Sequence, residues 1–243
     1  MGSGTCPPGV DPCRTGERHE APNVLAGDRA RPGLPRGDDG KELAVTSPWP
    51  VFDLRLRDGD LLLRPVTESD LPGLVAMLPD DVELDPSLPT DRTVAFFQGY
   101  WRSQSQWTAQ EWALSFLVQD RHEVVGVQGL EGSNFNLLRT VDSASWLVPA
   151  ARGRGIGKAM RAAVLDFAFG SLEAQAAVTS AWHDNKASLG VSRSLGYLPN
   201  GEHWHRRADN ADVMVHMSLK RSDWTIVGVE VEGFDSCREA FGV

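Results

Sequence analysis

The stretch Arg152-Gly153-Arg154-Gly155-Ile156-Gly157-Lys158 carries the chemistry most directly readable in this chain. Three glycines at alternate positions let the backbone come close to a ligand, because no Cβ blocks the approach. A strand-like run precedes the stretch and a helix-like run follows it. Its amides therefore fall at a helix N-terminus, where unpaired N–H groups and the positive end of the dipole favour phosphate. Arg152, Arg154 and Lys158 add full positive charges at the same place, in a chain whose formal net charge is −9. That local reversal of sign points to a phosphate or diphosphate ligand. A Walker A loop is excluded, because it needs Gly where Arg152 stands and Ser or Thr where Ala159 stands. A Rossmann fingerprint is excluded too, since its third Gly would fall at Lys158 and its strand would open a βαβ unit early in the domain. A Gly-rich turn with solvated arginines and no ligand is the competing reading of the loop alone.

Two further motifs stand in a fixed order around it. Leu63-Arg64-Pro65 is followed by Asp70, and Asn185-Lys186-Ala187-Ser188 continues to Ser194-Leu195-Gly196-Tyr197. From Asp60 to Trp224 these features together resemble the GNAT superfamily, especially its RimJ/RimL-like branch. The loop is similar to that family's Arg/Gln-x-x-Gly-x-Gly/Ala acyl-CoA motif, and the later stretch to its Asn-x-x-Ser helix ending in Leu-Gly-aromatic. The resemblance implies a mixed, mostly antiparallel sheet with flanking helices (an α/β, or α+β, fold), splayed after the loop-bearing strand so that pantetheine lies in the split. It implies a CoA-dependent N-acyltransferase that moves acetyl, or another short acyl group such as succinyl, directly from acyl-CoA to a primary amine. A non-catalytic acyl-CoA sensor of the same fold is the alternative.

Carried over by residue, the resemblance places Leu147 and Val148 beside pantetheine. It puts the amides of Arg152, Gly153, Arg154, Gly155, Ile156 and Gly157, with Lys158, on the diphosphate, and Asn185 on the cofactor arm. Ser188 falls where a hydroxyl could protonate the departing thiolate, an assistance typically worth about 10²- to 10⁴-fold; the first turn of a helix capped by Asn185 is also an ordinary place for Ser. Two carboxylates are candidates for the base that takes a proton from the amine. Asp142 lies six residues before Val148, in Asp142-Ser143-Ala144-Ser145-Trp146, where relatives carry a Glu-Ile-Gly-Tyr-like stretch. Glu202 follows the Gly196-Tyr197 turn.

Other groups carry weaker signals. His203 and His205 share one side of a strand, which raises a metal site, but no third ligand follows at a usual spacing and His216 lies on another strand. No metal is expected. Trp112 and Trp146 read as sheet-packing residues. The acidic run Asp80 to Asp85 favours a cationic acceptor, such as a small molecule, a peptide or a protein N-terminus.

The elements that must position these residues follow from pattern. Residues 1–45 hold eight Gly and six Pro and few large apolar side chains, so a disordered or loosely draped segment is expected. The acyltransferase domain is expected over 50–225. Two β runs flank Asp58-Gly59, Thr67 caps a helix to about Leu78, and Thr90 caps another through Phe96, Phe97, Tyr100 and Trp101. Strands over Trp112 to Val118 and Val124 to Leu130 form a hairpin, and one strand from Thr140 to Val148 leads into the loop. A helix from about Lys158 to Phe169, a strand Ala176 to Trp182, a helix Asn185 to Leu195 stopped by Gly196, and two closing strands complete the order. Residues 226–243 are set apart as a C-terminal tail.

The 243 residues are 41% hydrophobic, enough for a sizeable core. No run reaches the roughly 20 apolar residues of a membrane span, and the opening lacks a signal-peptide core, so a cytoplasmic protein is expected. Cys6, Cys13 and Cys237 are scattered and read as free thiols. Acyl-CoA and an amine are the expected partners and a homodimer is compatible with the sequence, whereas neither nucleic acid nor membrane is expected of so acidic a chain.

Overall fold

A computed structural model describes residues 49–225 and 228–243. The Gly/Pro-rich segment 1–45, with Cys6 and Cys13, lies outside the described residues.

The domain opens with strands β1 (Arg55–Asp58) and β2 (Leu61–Pro65), paired so that Asp58 faces Leu61. Gly59 in the connecting turn has φ +57°, which glycine adopts without steric cost. Helix α1 (Leu71–Met77) follows one 3₁₀ turn, Glu68–Asp70. Here the Leu-Arg-Pro…Asp motif gains a physical meaning. Asp70 accepts two hydrogen bonds from the Arg64 guanidinium, at 2.7 and 2.8 Å, and one from the Thr67 amide at 2.8 Å, which locks the end of β2 to the helix start. Burial alone would raise the Asp70 pKa, but these donors hold it down at about 2.

Helix α2 (Arg92–Ser105) starts one residue later than the expected cap. Asp91, not Thr90, accepts from the Val94 amide at 2.9 Å, because the capping side chain must sit on the residue directly before the first helical turn. Strands β3 (Trp112–Asp120) and β4 (Glu123–Gly132) form the expected hairpin. After a single turn of helix α3 (Phe135–Leu138) come β5 (Thr140–Asp142), β6 (Ser145–Leu147), helix α4 (Ile156–Asp166) with a wider turn over Phe167–Ser171, β7 (Ala176–Trp182), helix α5 (Lys186–Ser194), β8 (Leu198–Arg207), β9 (Asn210–Lys220) and β10 (Glu230–Glu232).

The strands make one sheet in the order β10-β1-β2-β3-β4-β5-β7-β9-β8, with β6 also on β4. Every pairing is antiparallel except β5 with β7. The expected single strand from Thr140 to Val148 is two. β5 pairs with β7 only as far as Asp142 opposite Val178, and β6 then follows β4 alone. The break has local causes. The Asp142 side chain takes the Ser143 amide at 2.6 Å, the Ser143 carbonyl accepts from Thr179 Oγ1 at 3.0 Å, and the Ala144 carbonyl accepts from Gly129 at 2.7 Å. Beyond this point the sheet divides, as the resemblance implied.

Two apolar layers cover the sheet. On one face α1 and α2 bury Leu71 and Leu74 against Leu117 and Val127, with Phe96, Phe97 and Trp146 alongside. On the other, Ile156, Met160, Val164 and Phe167 of α4 join Leu63, Phe116 and Leu130 in the main core. Trp112 is buried there, as expected of a sheet-packing residue, and Trp107, Phe135 and Phe241 surround it at ring distances of 5.1–6.2 Å. The segment set apart as a tail belongs to this core. Within 228–243, β10 extends the sheet beside β1, and Phe234, Cys237 and Phe241 are buried. Cys237 is a free thiol. Among the described residues, no helix is long and apolar enough to cross a membrane.

Candidate active site

The division between β6 and β7 opens a cavity of about 690 Å³, floored by α4 and flanked by α5. That volume falls in the range of small-molecule sites. At one end lies the Gly-rich loop. Gly153 and Gly155 have φ +75° and +85°, the left-handed region that glycine adopts readily, and a Cβ on either would meet nothing within 4 Å. The amides of Gly153, Arg154, Gly155, Ile156 and Gly157 donate to no acceptor among the described residues, and they end at the first turn of α4. Five successive unpaired donors at the N-terminus of an 11-residue helix make an anion cradle. Lys158 stands exposed beside them.

The cations of the loop are not equivalent. Arg152 donates to the Leu147 carbonyl at 3.0 Å and grips both oxygens of Asp81, at 2.6 and 2.8 Å. That hydrogen-bonded pairing raises the Arg152 pKa and lowers that of Asp81. Arg154 turns away to Asp120 at 2.7 Å. The connection between α1 and α2, which supplies Asp81, also places Glu83 on the far wall. There Glu83 accepts from Trp182 Nε1 at 2.8 Å and Arg207 Nε at 3.1 Å, while the Arg207 guanidinium lies 4.9 Å from the Trp182 ring. The acidic run thus straps the loop to β7.

Of the residues expected to hold acyl-CoA, Leu147, Arg152, Gly153, Gly155, Gly157, Lys158, Asn185 and Ser188 line the cavity. Val148 does not line it, and its amide continues the sheet to Val125 at 2.9 Å. Arg154 and Ile156 do not line it either, Ile156 being buried in the core. Asn185 caps α5 by accepting from the Ser188 amide at 3.0 Å, and this fixes Ser188 in the first turn with its side chain at the cavity wall.

The two candidate bases part company. Asp142 does not itself line the cavity; it sits beside Ser143, which does, and opposite Glu131 on β4. Its side chain is exposed, yet the protein packed around it displaces enough water to push its pKa up, against the Ser143 amide and the charge of Arg161. Burial and the charge of Asp142 push Glu131 up as well. Glu202 is not brought to the cavity. It is exposed on edge strand β8, just beyond a register shift between Pro199 and Glu202.

Sequence reasoning placed His216 on a strand apart from His203 and His205, but β9 is hydrogen-bonded to β8 and brings its ring 4.9 and 5.8 Å from theirs. Among the described residues no group of His, Cys, Asp or Glu has the arrangement of a metal site. Arg161, Ser143, Ser145 and Trp182 of the cavity wall were also missed. Arg161 carried a signal: with Asp166 it is one of two charges within Ala159-Met160-Arg161-Ala162-Ala163-Val164-Leu165-Asp166-Phe167, a run too apolar to lie at a surface.

Residues 60–198 match the acetyltransferase (GNAT) domain family. The chain belongs to the GNAT acetyltransferase family. Among solved structures, Mycobacterium smegmatis RimJ in complex with CoA-disulfide is similar at 19% identity and a TM-score of 0.58, over 70% of this chain and 88% of that one. A chimera of the Vibrio cholerae spermidine N-acetyltransferase with hSSAT is similar at 16% identity and a TM-score of 0.56, over 67% and 96%. Family membership makes this GNAT protein an acetyltransferase-type enzyme with acyl-CoA as co-substrate. The divided sheet and the unpaired amide cradle fit that substrate: one end suits a diphosphate, and the split suits a narrow, extended arm.

Proposed function

We propose that this GNAT enzyme transfers a short acyl group from acyl-CoA to a primary amine at the foot of the split, by direct attack. The five unpaired amides, with Gly153, Gly155 and Gly157 lining the cavity, carry this reading. They would hold the diphosphate together with Lys158 and Arg152, Leu147 and Asn185 would line the arm, and the thioester would reach Ser188. The amine nitrogen attacks the thioester carbonyl, a C–N bond forms and the C–S bond breaks. A proton leaves the amine and a proton reaches the thiolate. Asp142, next to the cavity-lining Ser143, accepts the first, because the protein around it favours its protonated form. Ser188, which lines the cavity, delivers the second from its hydroxyl.

A cationic acceptor is favoured by the carboxyl groups of Asp142 and Glu131, opposite one another beside the cavity-lining Ser143, and by the acidity of the chain. The Arg64–Asp70 lock supports the RimJ/RimL-like branch, and we place the enzyme in the cytoplasm. A thiol-release assay with acetyl-CoA against small amines, polyamines and peptides tests the reading. Release that depends on the added amine supports it, and release equal with and without every amine contradicts it.

A further inference from the structure

Helix α4 buries two charges, and they are treated differently. Asp166, 6% exposed, is satisfied by the C-terminal segment: Trp224 Nε1 and the Gly228 amide both donate to it at 2.8 Å, and the Val229 amide at 3.1 Å. Arg161, 3% exposed, has no such treatment. Its guanidinium donates to Ser192 Oγ at 2.8 Å and to Ser145 Oγ at 3.4 Å, its Nε has no acceptor, and it makes no ion pair with any carboxylate among the described residues.

A guanidinium stays charged when buried, so taking it out of water is costly unless a counter-charge is supplied. Asp142 acts on Arg161 only at a distance, across the break between β5 and β6. Around the same point, Ser143 Oγ and Tyr197 Oη face one another without completing a well-formed hydrogen bond, and the carbonyl oxygen of the Gln128 side chain is also unpaired. Both Arg161 and Ser143 line the cavity. They stand at the foot of the split, the end away from the amide cradle, where the acyl group of an extended acyl-CoA would arrive.

We propose that Arg161 makes this foot an acyl-carboxylate pocket, so that the preferred donor is a dicarboxylic acyl-CoA, for which succinyl-CoA is the probe. The distal carboxylate would accept from Arg161 Nε and one terminal nitrogen in a bidentate pair, with the Ser143 hydroxyl as a further donor. It would supply the charge that the fold itself leaves out. Arg161 is a specificity-determining residue in this account, and the bonds made and broken at the thioester are those given above. The inference rests on the proposed function, since it needs acyl-CoA in the split.

Calorimetry on the full chain with succinyl-CoA and butyryl-CoA isolates the effect, because the two differ only by carboxylate against methyl at the same chain length. Succinyl-CoA is expected to bind at least 10-fold more tightly than butyryl-CoA or acetyl-CoA. Arg161→Gln should remove that advantage while leaving the affinity for CoA itself within about 3-fold. Equal or weaker binding of succinyl-CoA by the wild-type protein overturns the proposal, and this arm stands even if the variant does not fold. An advantage that persists in a folded Arg161→Gln protein overturns the role of Arg161. If acetyl-CoA binds and turns over without any succinyl preference, the proposed function survives and this inference fails. If CoA does not bind at all, both fail.

Discussion

Arg152 and Asp81, 71 residues apart in sequence, are joined by two hydrogen bonds of 2.6 and 2.8 Å at the edge of the amide cradle. Asp81 therefore occupies the guanidinium that a diphosphate would seek. In the proposed binding mode acyl-CoA would displace a carboxylate with a phosphate there, which would release the strap that carries Asp81 from the loop. Asp81→Asn keeps the shape of the strap and removes the competing charge. Its dissociation constant for CoA should fall a few-fold, as read by calorimetry, with little change in melting temperature because the pair is exposed. An unchanged or weakened affinity would show that Arg152 serves the strap alone.

Asp142 gives a prediction with a definite sign in pH. Its folded pKa is raised above the ordinary carboxylate value, so the fold binds its proton more tightly than the unfolded chain does. This favourable contribution is complete below the unfolded pKa and is lost as pH rises through the folded one. Asp142→Asn should thus have a higher melting temperature than the wild type at neutral pH, with the gap closing towards acid. In turnover it should do the opposite: a lower rate and a flattened acidic limb, with a greater loss for a lysine-like acceptor, which is neutral in fewer than about one molecule in a thousand at pH 7, than for an α-amine. An acidic limb identical to that of the wild type would remove Asp142 from the chemistry.

The loop, the order of elements and the hairpin turn at Gly59 were legible because glycine spacing, caps and hydrophobic period are local properties. The division of the strand at Ser143 was not. Residues 140–148 read as one strand, and what breaks them is a threonine hydroxyl from β7 and an amide from β4, partners that sequence spacing cannot supply. The strap was half legible: the acidic run stood out, but its use in pairing Arg152 and Arg207 depends on tertiary packing. The last sixteen residues were undervalued because their apolar side chains, though as frequent as elsewhere in the chain, form no long periodic run. Phe234 and Phe241 are spaced to fill a gap beside Phe167, at ring distances of 5.3 and 5.9 Å, and show no period of their own.

That packing makes the C-terminal segment integral to the fold. Truncation after Trp224 removes two buried phenylalanines, the strand paired with β1, and the amides that satisfy Asp166. Loss of a buried phenylalanine side chain alone typically costs about 3–5 kcal/mol. The truncated protein should fail to unfold cooperatively on heating, as monitored by near-ultraviolet circular dichroism. A melting temperature within a few degrees of the intact chain would mean that the segment only rests on the domain.

Ser188 separates binding from chemistry. Its amide is held by Asn185 whatever its side chain, so Ser188→Ala should leave α5 intact and the acyl-CoA dissociation constant within a few-fold. A hydroxyl that delivers the proton to sulfur would cost about 10-fold or more in kcat when removed. Full turnover by the variant would assign Ser188 to the helix cap alone.

The amide cradle is tested most directly at Gly155, whose φ of +85° complicates any substitution. Asn enters the left-handed region more readily than most side chains and is nearly isosteric with Asp, so the comparison of Gly155→Asn with Gly155→Asp isolates charge from backbone strain. Calorimetric titration of CoA into both variants should show measurable binding by the Asn protein and at least about 10-fold weaker binding by the Asp protein, because a carboxylate there opposes the diphosphate at the helix N-terminus. Equal affinities in two folded variants would contradict the placement of the acyl-CoA diphosphate on residues 153–157.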